Sequence, residues 1–571
     1  MRAMAQPMEQ LEILYSSIAN DPSSSLPGLP GITIFAIDRP GVSPDGSHWI
    51  IPLILQTGTV ADNKVIVVDG AVVARKGEAP SYLPAGRVHE NFAMGVHILN
   101  SGAYSFGGDF SGSMGTDDFV CRGDGLGNIA MVANQSIQIA GAPAGWLAGV
   151  LVNSFVTQGG VAYESEAVTG GPPVGMDNVL MLNGSILLQT GVDAPVGQLT
   201  GLSDAWESFD QEFFWVSSDG AHYILRGDLA GPTGNDNVTV VDGVVVVQEL
   251  LPLPGGVPTD LVQAGTFGTT SVFMSENGNW MAKGTFVGSL AGWALYNGAM
   301  VARGGNPIHV GAAETYVGGF HSVTCNNVGD YVIAGFSNAP AATDTVVVLN
   351  NDHVVLREGD PVDLDGNGLL DDNLFVSAIE TDDLVLTDDL RLFLTGRLKN
   401  ASNADKGPFF GFLQLDSPAV GVPFCDPADP NSTGSPAVLS GTMSGLGTSG
   451  LHLEARQGPP NQFGYFLVGT GAASPGVVLS QGHFCLATNL GNTIGRYNIP
   501  GGVLNSVGVF DPSGTLLNAV GTSSVGSGFD VPSALPTIGG SIQTGETWHF
   551  QLWFRENAGA SNLTNGLSVT F

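Results

Sequence analysis

The sequence predicts an all-β chain: a seven-bladed β-propeller followed by a C-terminal β-sandwich or jelly-roll domain. Three observations carry this expectation. The first is a short pattern that recurs seven times: a small polar residue, two free positions, Gly, two free positions, then often an aromatic. It reads Ser43-Pro-Asp-Gly46-Ser-His-Trp49, Leu99-Asn-Ser-Gly102, Thr157-Gln-Gly-Gly160-Val-Ala-Tyr163 and Ser217-Ser-Asp-Gly220-Ala-His-Tyr223. It continues as Ser275-Glu-Asn-Gly278-Asn-Trp-Met281 and Asn326-Asn-Val-Gly329-Asp-Tyr-Val332, and ends in a worn copy, Thr387-Asp-Asp-Leu390-Arg-Leu-Phe393. A near-fixed period of about 40 to 60 residues with β-type text marks propeller blades. The second observation is a two-residue turn that follows most copies: Asp69-Gly70, Asn183-Gly184, Asp242-Gly243 and Asn297-Gly298, with Asn350-Asn351-Asp352 as a variant. Asn-Gly and Asp-Gly supply the positive φ angles of a tight type I′ hairpin. Third, glycine is abundant, 82 of 571 residues, without a three-residue period, so the glycines read as turn residues.

Each element then follows in chain order. In residues 1–30, Leu11, Leu14, Tyr15 and Ile18 fall at helical spacing, so a short helix is expected there, followed by a Ser/Pro/Gly linker. Residues 31–415 form the propeller. In each repeat an apolar strand such as Thr270-Ser-Val-Phe-Met274 enters the anchor turn and a second leaves it. Two more strands flank the hairpin, as in Val238-Thr-Val-Val241 and Val244-Val-Val-Val247, which makes four per blade. The seventh repeat lacks the hairpin and ends in Phe409-Phe-Gly-Phe-Leu413. One terminus, here Ile32–Ile37 or the C-terminal run, is expected to complete the blade begun by the other and so remove a free sheet edge. Residues 416–436 are rich in Pro, Asp and Ser and read as a linker. Residues 437–571 form the sandwich, where Trp548, Phe550, Leu552 and Phe554 alternate along a half-buried strand.

Composition narrows the function. Acidic residues number 52 against 18 basic ones, for a net charge of −34. Neither nucleic acid nor an anionic membrane gains counterion release against such a surface. No stretch approaches the roughly 18 apolar residues of a membrane span, so no membrane insertion is expected. Arg2 is followed by no apolar run, so no secretory signal is read, although Met1, Met4 and Met8 leave room for a start upstream. Cys425 and Cys485 share the C-terminal region and are able to pair, whereas Cys121 and Cys325 read as buried thiols.

The sharpest chemical motif is Asp363-Leu-Asp365-Gly-Asn367-Gly368-Leu369-Leu-Asp371-Asp372. Oxygen donors at Asp363, Asp365, Asn367, the Leu369 carbonyl and Asp371 match Ca²⁺-loop spacing. Leu374 stands where the bidentate Glu belongs, and a solvated acidic loop is the plainer alternative. A structural calcium ion is therefore the one cofactor expected. Ser43 to Trp49 resembles the Asp-box of sialidase-type propellers, which marks fold and not chemistry. A carboxylate clamp of arginines is not expected, because Arg75, Arg303 and Arg357 occupy one repeat-equivalent position. Arg122-Gly-Asp124 is an integrin-type tripeptide, in a repeat whose segment before the expected hairpin is longer than in its neighbours. Trp146, Trp293 and Trp553 are candidates for stacking on sugars, with core packing as the alternative. No zinc spacing, phosphate loop or G-x-S-x-G elbow is present.

The anchor repeat resembles the tandem NxxGxxF-type repeat family of secreted bacterial proteins. Asn326-Asn-Val-Gly329-Asp-Tyr-Val332 matches it best, with the repeat ending Val355-Leu-Arg-Glu-Gly-Asp-Pro361 recurring as Val73-Ala-Arg-Lys-Gly77 and Val301-Ala-Arg-Gly-Gly305. Several copies depart from it, with Ser or Thr for Asn and Trp or Tyr for Phe. Residues Phe424-Cys425, Asn431-Ser-Thr-Gly434, Thr547 to Arg555 and Asn565 to Phe571 resemble a module appended to such proteins. The resemblance implies an extracellular or cell-surface location and brings no catalytic residues. The expected function is noncatalytic binding at the channel mouth, of a polysaccharide or a cell-surface protein, with the C-terminal module serving attachment or export. The alternative is a carbohydrate-active hydrolase or lyase using acidic residues at that mouth.

Overall fold

In the computed structural model the chain divides into two compact units, residues 1–415 and 416–571. The structure describes residues 11–18, 21–112, 115–198, 203–231, 235–253, 256–265, 268–288, 291–364, 369–415, 420–443, 449–489, 491–512, 514–523, 526–536, 538–543, 545–556 and 559–571. Among these the fold is all-β, built from many small antiparallel sheets with no α-helix.

The first unit holds seven sheets in chain order. Sheet 1 runs Ile34–Ile37, Trp49–Leu55, Lys64–Val68, Ala71–Arg75, and sheet 2 runs His89–Asn91, Tyr104–Phe110, Asp118–Gly123, Ile129–Asn134. Sheet 3 runs Val150–Thr157, Gly160–Glu166, Val179–Leu182, Ser185–Gln189. Sheet 4 runs Trp206–Val216, Tyr223–Leu229, Asn237–Val241, Val244–Gln248. Sheet 5 runs Thr269–Met274, Trp280–Thr285, Gly292–Tyr296, Ala299–Arg303. Sheet 6 runs Tyr316–Cys325, Tyr331–Ser337, Thr345–Leu349, His353–Arg357. Sheet 7 takes Leu374–Ile379, Arg391–Asn400 and Asp405–Gln414 from the end of the unit, and Leu11–Ser16 from its beginning.

Leu11–Ser16 is thus a strand and not the expected helix. It pairs antiparallel with Phe409–Leu413, with a bulge between Ile13 and Tyr15. Leu11 packs toward sheet 6, while Tyr15 packs toward sheet 1. A strand buried on both faces carries apolar residues without alternation, and the bulge adds an offset that imitates a helical period. The terminus that completes the last sheet is therefore this segment, and not Ile32–Ile37, whose residues from Ile34 on open sheet 1.

Apolar cores lie between consecutive sheets. Ile50 and Ile66 of sheet 1 meet Phe106 and Phe119 of sheet 2, and Val120 meets Val161 and Met181 of sheet 3. The pattern repeats through Leu180 with Phe214, Ile224 with Trp280, Met281 with Ile333, and Val347 with Leu392. In the seventh cluster Phe393 and Phe410 of sheet 7 meet Ile51 and Val65 of sheet 1. Adjacent residues such as Val332 and Ile333 serve neighbouring cores, which is why the middle strands read as unbroken apolar runs.

The recurring motif has two jobs. Within a repeat, the hairpin residue takes a left-handed φ of 46° to 53° at Asp69, Asn183, Asp242, Asn297 and Asn350. Except at Asn183, which accepts from the Thr157 hydroxyl, its side chain accepts a hydrogen bond from the backbone N–H of the motif's aromatic: Trp49 to Asp69 at 2.9 Å, Tyr223 to Asp242 at 2.8 Å, Trp280 to Asn297 and Tyr331 to Asn350 at 2.9 Å. That bond fixes the spacing between anchor and hairpin. Between repeats, the anchor turns bond to one another. The Asp45 N–H donates to Asn100, Gln158 N–H to the Ser218 carbonyl, and Ser218 N–H to Glu276. Asn277 N–H donates to Asn327, Asn327 N–H to Asp388, and Asp388 N–H to the Pro44 carbonyl. The anchor Gly sits at positive φ at Gly46, Gly102, Gly220, Gly278 and Gly329, though not at Gly160, and the worn copy keeps that geometry with a non-glycine residue, Leu390 at 60°.

Sheet 2 corrects the reading of its repeat. Its hairpin joins Asp118–Gly123 to Ile129–Asn134 through a loop from Asp124 to Asn128, with Gly125 at positive φ, and begins at the ordinary distance from the anchor. Arg122 and Gly123 are strand residues, and Asp124 holds the backbone N–H groups of Leu126 and Asn128, so the tripeptide is part of a hairpin.

The second unit begins earlier than residue 437. Val422–Phe424 is a strand on Ser561–Thr570, so the 416–436 segment is not simply a linker. A seven-stranded sheet centred on Phe463–Gly469 and Thr547–Arg555 and a three-stranded sheet of Val438–Met443, Leu451–Arg456 and Phe529–Asp530 share one core. Leu439, Leu453 and Phe529 meet Phe466, Phe550 and Leu552 there. Cys425 and Cys485 form a disulfide, and Cys121 and Cys325 are buried free thiols.

Candidate functional site

The first strands of sheets 3, 4 and 5, with the short strand His97–Ile98 that pairs with Tyr104–Phe110 of sheet 2, bring one cluster of rings together. Trp215 of sheet 4 lies 4.8 Å from Phe273 of sheet 5, 5.2 Å from Phe155 of sheet 3 and 6.1 Å from His97 of sheet 2, between ring centroids. The Arg39 guanidinium, just after the first strand of sheet 1, stands 5.5 Å over the Trp215 ring. One indole thus touches side chains from four other sheets. These rings occupy one repeat position, two residues before each anchor motif. The sequence shows it as His97, Phe155, Trp215 and Phe273, a signal hidden among ordinary strand aromatics.

A layer of charge adjoins the rings. Lys283, 3% exposed, ion-pairs Asp382 at 3.3 Å. Burial pulls its ammonium below the usual lysine range, against the attraction of Asp382. Asp382 takes a φ of 62°, an uncommon conformation for a non-glycine residue. Beside it Asp383 accepts from the Thr395 hydroxyl, and burial pushes its carboxyl up to about 6. His321 has a buried Nε2 with no partner among the described residues, and burial lowers its pKa. The cluster offers two cations, two carboxyls and an imidazole beside an aromatic floor.

On the strand next to that of Trp215, Arg226 pairs with Asp210, stacks 3.9 Å over the Phe213 ring and donates to the Thr269 carbonyl. Glu164 of sheet 3 lies within electrostatic reach of Asp210 and Glu166, and is 1% exposed. Burial first, then those two charges, push its carboxyl up to about 9. A glutamate ionises near 4.5 when unfolded, so unfolding releases this proton between about 4.5 and 9, and stability falls as pH rises through that window. Glu164→Gln removes the penalty. It is expected to stabilise the first unit by ~1–3 kcal/mol at pH 8 and by little at pH 4.5. Urea midpoints at the two pH values check this.

The sequence-predicted sites fare differently. Of the calcium loop, Asp365 and Asn367 lie outside the described residues. Asp363 is buried while Leu369 and Asp371 are exposed, and Asp372 accepts from the Leu364 backbone N–H at 2.6 Å. No group of three or more metal-binding side chains is found among the described residues. Arg75, Arg303 and Arg357 each pair with an acid, Asp62, Asp260 and Glu314, at 2.7 to 2.9 Å, so they form structural ion pairs and no common clamp. Trp293 is fully buried and donates to the Thr285 carbonyl, which assigns it to the core.

No family model matches the chain, and no curated protein matches it. Among solved structures, a fungal alcohol oxidase of the AA5 family in complex with copper is similar at 11% identity, covering 95% of this chain and 98% of that one, with a TM-score of 0.29. A prolyl endopeptidase structure is similar at 9% identity, over 77% of this chain and 56% of that one, with a TM-score of 0.33. A puromycin hydrolase is similar at 10% identity, over 76% and 62%, also with a TM-score of 0.33. At these scores the similarities carry no argument about fold detail or activity.

Proposed function

We propose that residues 1–415 form a closed seven-bladed propeller of the NxxGxxF-type repeat kind, and that it acts as a noncatalytic binding module of a secreted or cell-surface protein. Closure is supported by the seven apolar clusters, the last of which returns from sheet 7 to sheet 1, and by bonds between neighbouring anchor turns, among them Asp388 N–H to the Pro44 carbonyl, which joins the last repeat to the first. The observation that carries the binding reading is the Trp215 cluster. It fills the axis at the anchor-turn end, so a ligand enters from the opposite mouth and meets the half-buried Asp382 and Asp383, with Lys283 buried beneath them, above an aromatic floor. Mixed charge beside rings suits a neutral polysaccharide or a polar protein loop, through hydrogen bonds and stacking. The C-terminal unit is a β-sandwich for attachment or export.

The alternative, a hydrolase or lyase, needs paired carboxylates facing the mouth. Glu164 is held protonated at neutral pH as a general acid must be, but its carboxyl is sealed from solvent. Retention of the full chain on immobilised neutral polysaccharides, with assay for new chain ends, separates the two. Retention without cleavage, reduced at least tenfold in Asp383→Asn, supports binding. New reducing ends abolished by Glu164→Gln support the enzyme.

The loop from Asp363 to Asp372 is part of the same proposal, as a structural calcium site built from Asp363, Asp365, Asn367, the Leu369 carbonyl and Asp371. Millimolar calcium is expected to raise the melting temperature of the first unit by several degrees and chelator to lower it, as any ligand of the native state does. An unchanged melting temperature removes the site.

A further inference from the structure

A cleft of about 540 Å³ opens in the second unit beside the Cys425–Cys485 disulfide. Phe424, Pro427 and Leu563 give it apolar walls, and Asp426, Asp429 and His483 give it polar ones. No lysine or arginine lines it. His483 Nδ1 meets Asp429 Oδ2 at 2.5 Å, so the one imidazole is committed to one carboxylate. Asp426 is exposed and has no hydrogen-bond or ion-pair partner among the described residues. A cavity walled this way favours a cationic group and repels an anion.

The same cleft is bordered by Ser474, Pro475 and Gly476, which belong to the strand Ala472–Leu479. That strand pairs only with Gly482–Leu486 among the described residues, so its other edge carries no ladder. Val477, Val478 and Leu479 are 63%, 68% and 47% exposed, so successive side chains are bare on both faces. Residues 470–482 contain no charged side chain. Free edges are ordinarily blunted by charge, and here only Pro475 interrupts the edge, at the end nearer the cleft. An uncharged, unpaired apolar edge that leads into an acidic cleft has the two parts of a strand-addition site: a backbone ladder, and a pocket for one side chain.

We propose that this edge binds an extended peptide segment of a partner protein by strand addition along Gly476–Leu479, with a Lys or Arg side chain of that segment seated between Asp426 and Asp429. Charge complementarity selects this occupant over a second copy of the chain, whose net charge of −34 opposes self-association. The site is separate from the cluster around Trp215, and variants at Asp426 leave polysaccharide retention unchanged, so the two readings fail separately. It stands whether or not the unit serves attachment.

The test uses the full chain and three fluorescein-labelled heptapeptides of alternating Val and Thr, whose central residue is Lys, norleucine or Glu. Fluorescence anisotropy is expected to show saturable binding of the Lys peptide, at least tenfold weaker binding of the other two, and at least tenfold loss in Asp426→Asn and in Asp429→Asn. Val478→Pro, which removes an edge donor at an exposed position, weakens all three. Equal affinity for the three peptides, full binding by the Asp426→Asn, Asp429→Asn double variant, or no binding at millimolar peptide overturns the proposal. A concentration-dependent dimer that Val478→Lys abolishes also overturns it, in favour of a second copy.

Discussion

Deleting residues 1–17 is expected to abolish cooperative folding of the first unit. Leu11–Ser16 is the outer strand of sheet 7, and its removal bares the edge of Asp405–Gln414. Phe409, Phe410 and Leu413, all fully buried, lose cover there. Burial of Leu11 and Tyr15 contributes about 2–3 kcal/mol each, and the lost ladder adds about 0.5–1.5 kcal/mol per hydrogen bond. The sum rivals the whole stability of a domain, about 5–15 kcal/mol. A bare apolar edge also templates aggregation. Gel filtration and thermal melts of the truncated chain check this, and a peptide spanning residues 8–18, added in trans, is expected to restore the melt. A truncated chain that melts like the full one would show the strand to be dispensable.

Trp215→Ala is expected to cost the first unit about 3 kcal/mol. The indole contacts Phe155 and Phe273 and carries Arg39, so truncation leaves a void where several sheets meet. Trp215→Phe keeps a ring and is expected to lose less than half as much. Arg39→Ala removes only the cation over the ring, about 0.5–1 kcal/mol. Chemical denaturation of the three variants orders them. Equal midpoints for Trp215→Ala and the parent would mean that the rings do not bear load.

Local signals in the sequence carried over well. Positive-φ hairpins announced themselves as Asp-Gly and Asn-Gly, because few other residues fit that geometry cheaply. The anchor motif was equally legible, since its Gly and its aromatic are fixed by bonds within about 20 residues. The apolar alternation from Trp548 to Phe554 placed one face of its strand in the core, as found. Asp124-Gly125 is harder to read, because its loop runs on from Asp124 to Asn128 and Asp124 does not take the positive φ of the other hairpins. Long-range pairing was not legible. Leu11–Ser16 is apolar on both sides because it has a neighbour on both sides, and no local pattern tells that from a helix. The charged layer was hidden for a similar reason: Lys283 and Asp382 come from different sheets, and only the fold makes them a pair. In the second unit Asp429 and His483 are likewise brought together by strands far apart in sequence.

The shared seventh sheet sets a timetable for synthesis. Leu11–Ser16 is synthesised well before its partner strand, which begins only at Asp405. At about 5–20 residues per second, the interval is on the order of tens of seconds. Six sheets have time to form while this early strand, which packs toward sheets 6 and 1, has nothing to pair with. Contacts between the two ends of the unit therefore come late, as expected for pairings of large sequence separation. During that interval the early strand is a target for chaperones, and in a crowded polysome it is exposed to the Phe409–Leu413 run of a neighbouring chain, so that exchange of the first strand between copies competes with pairing inside one chain.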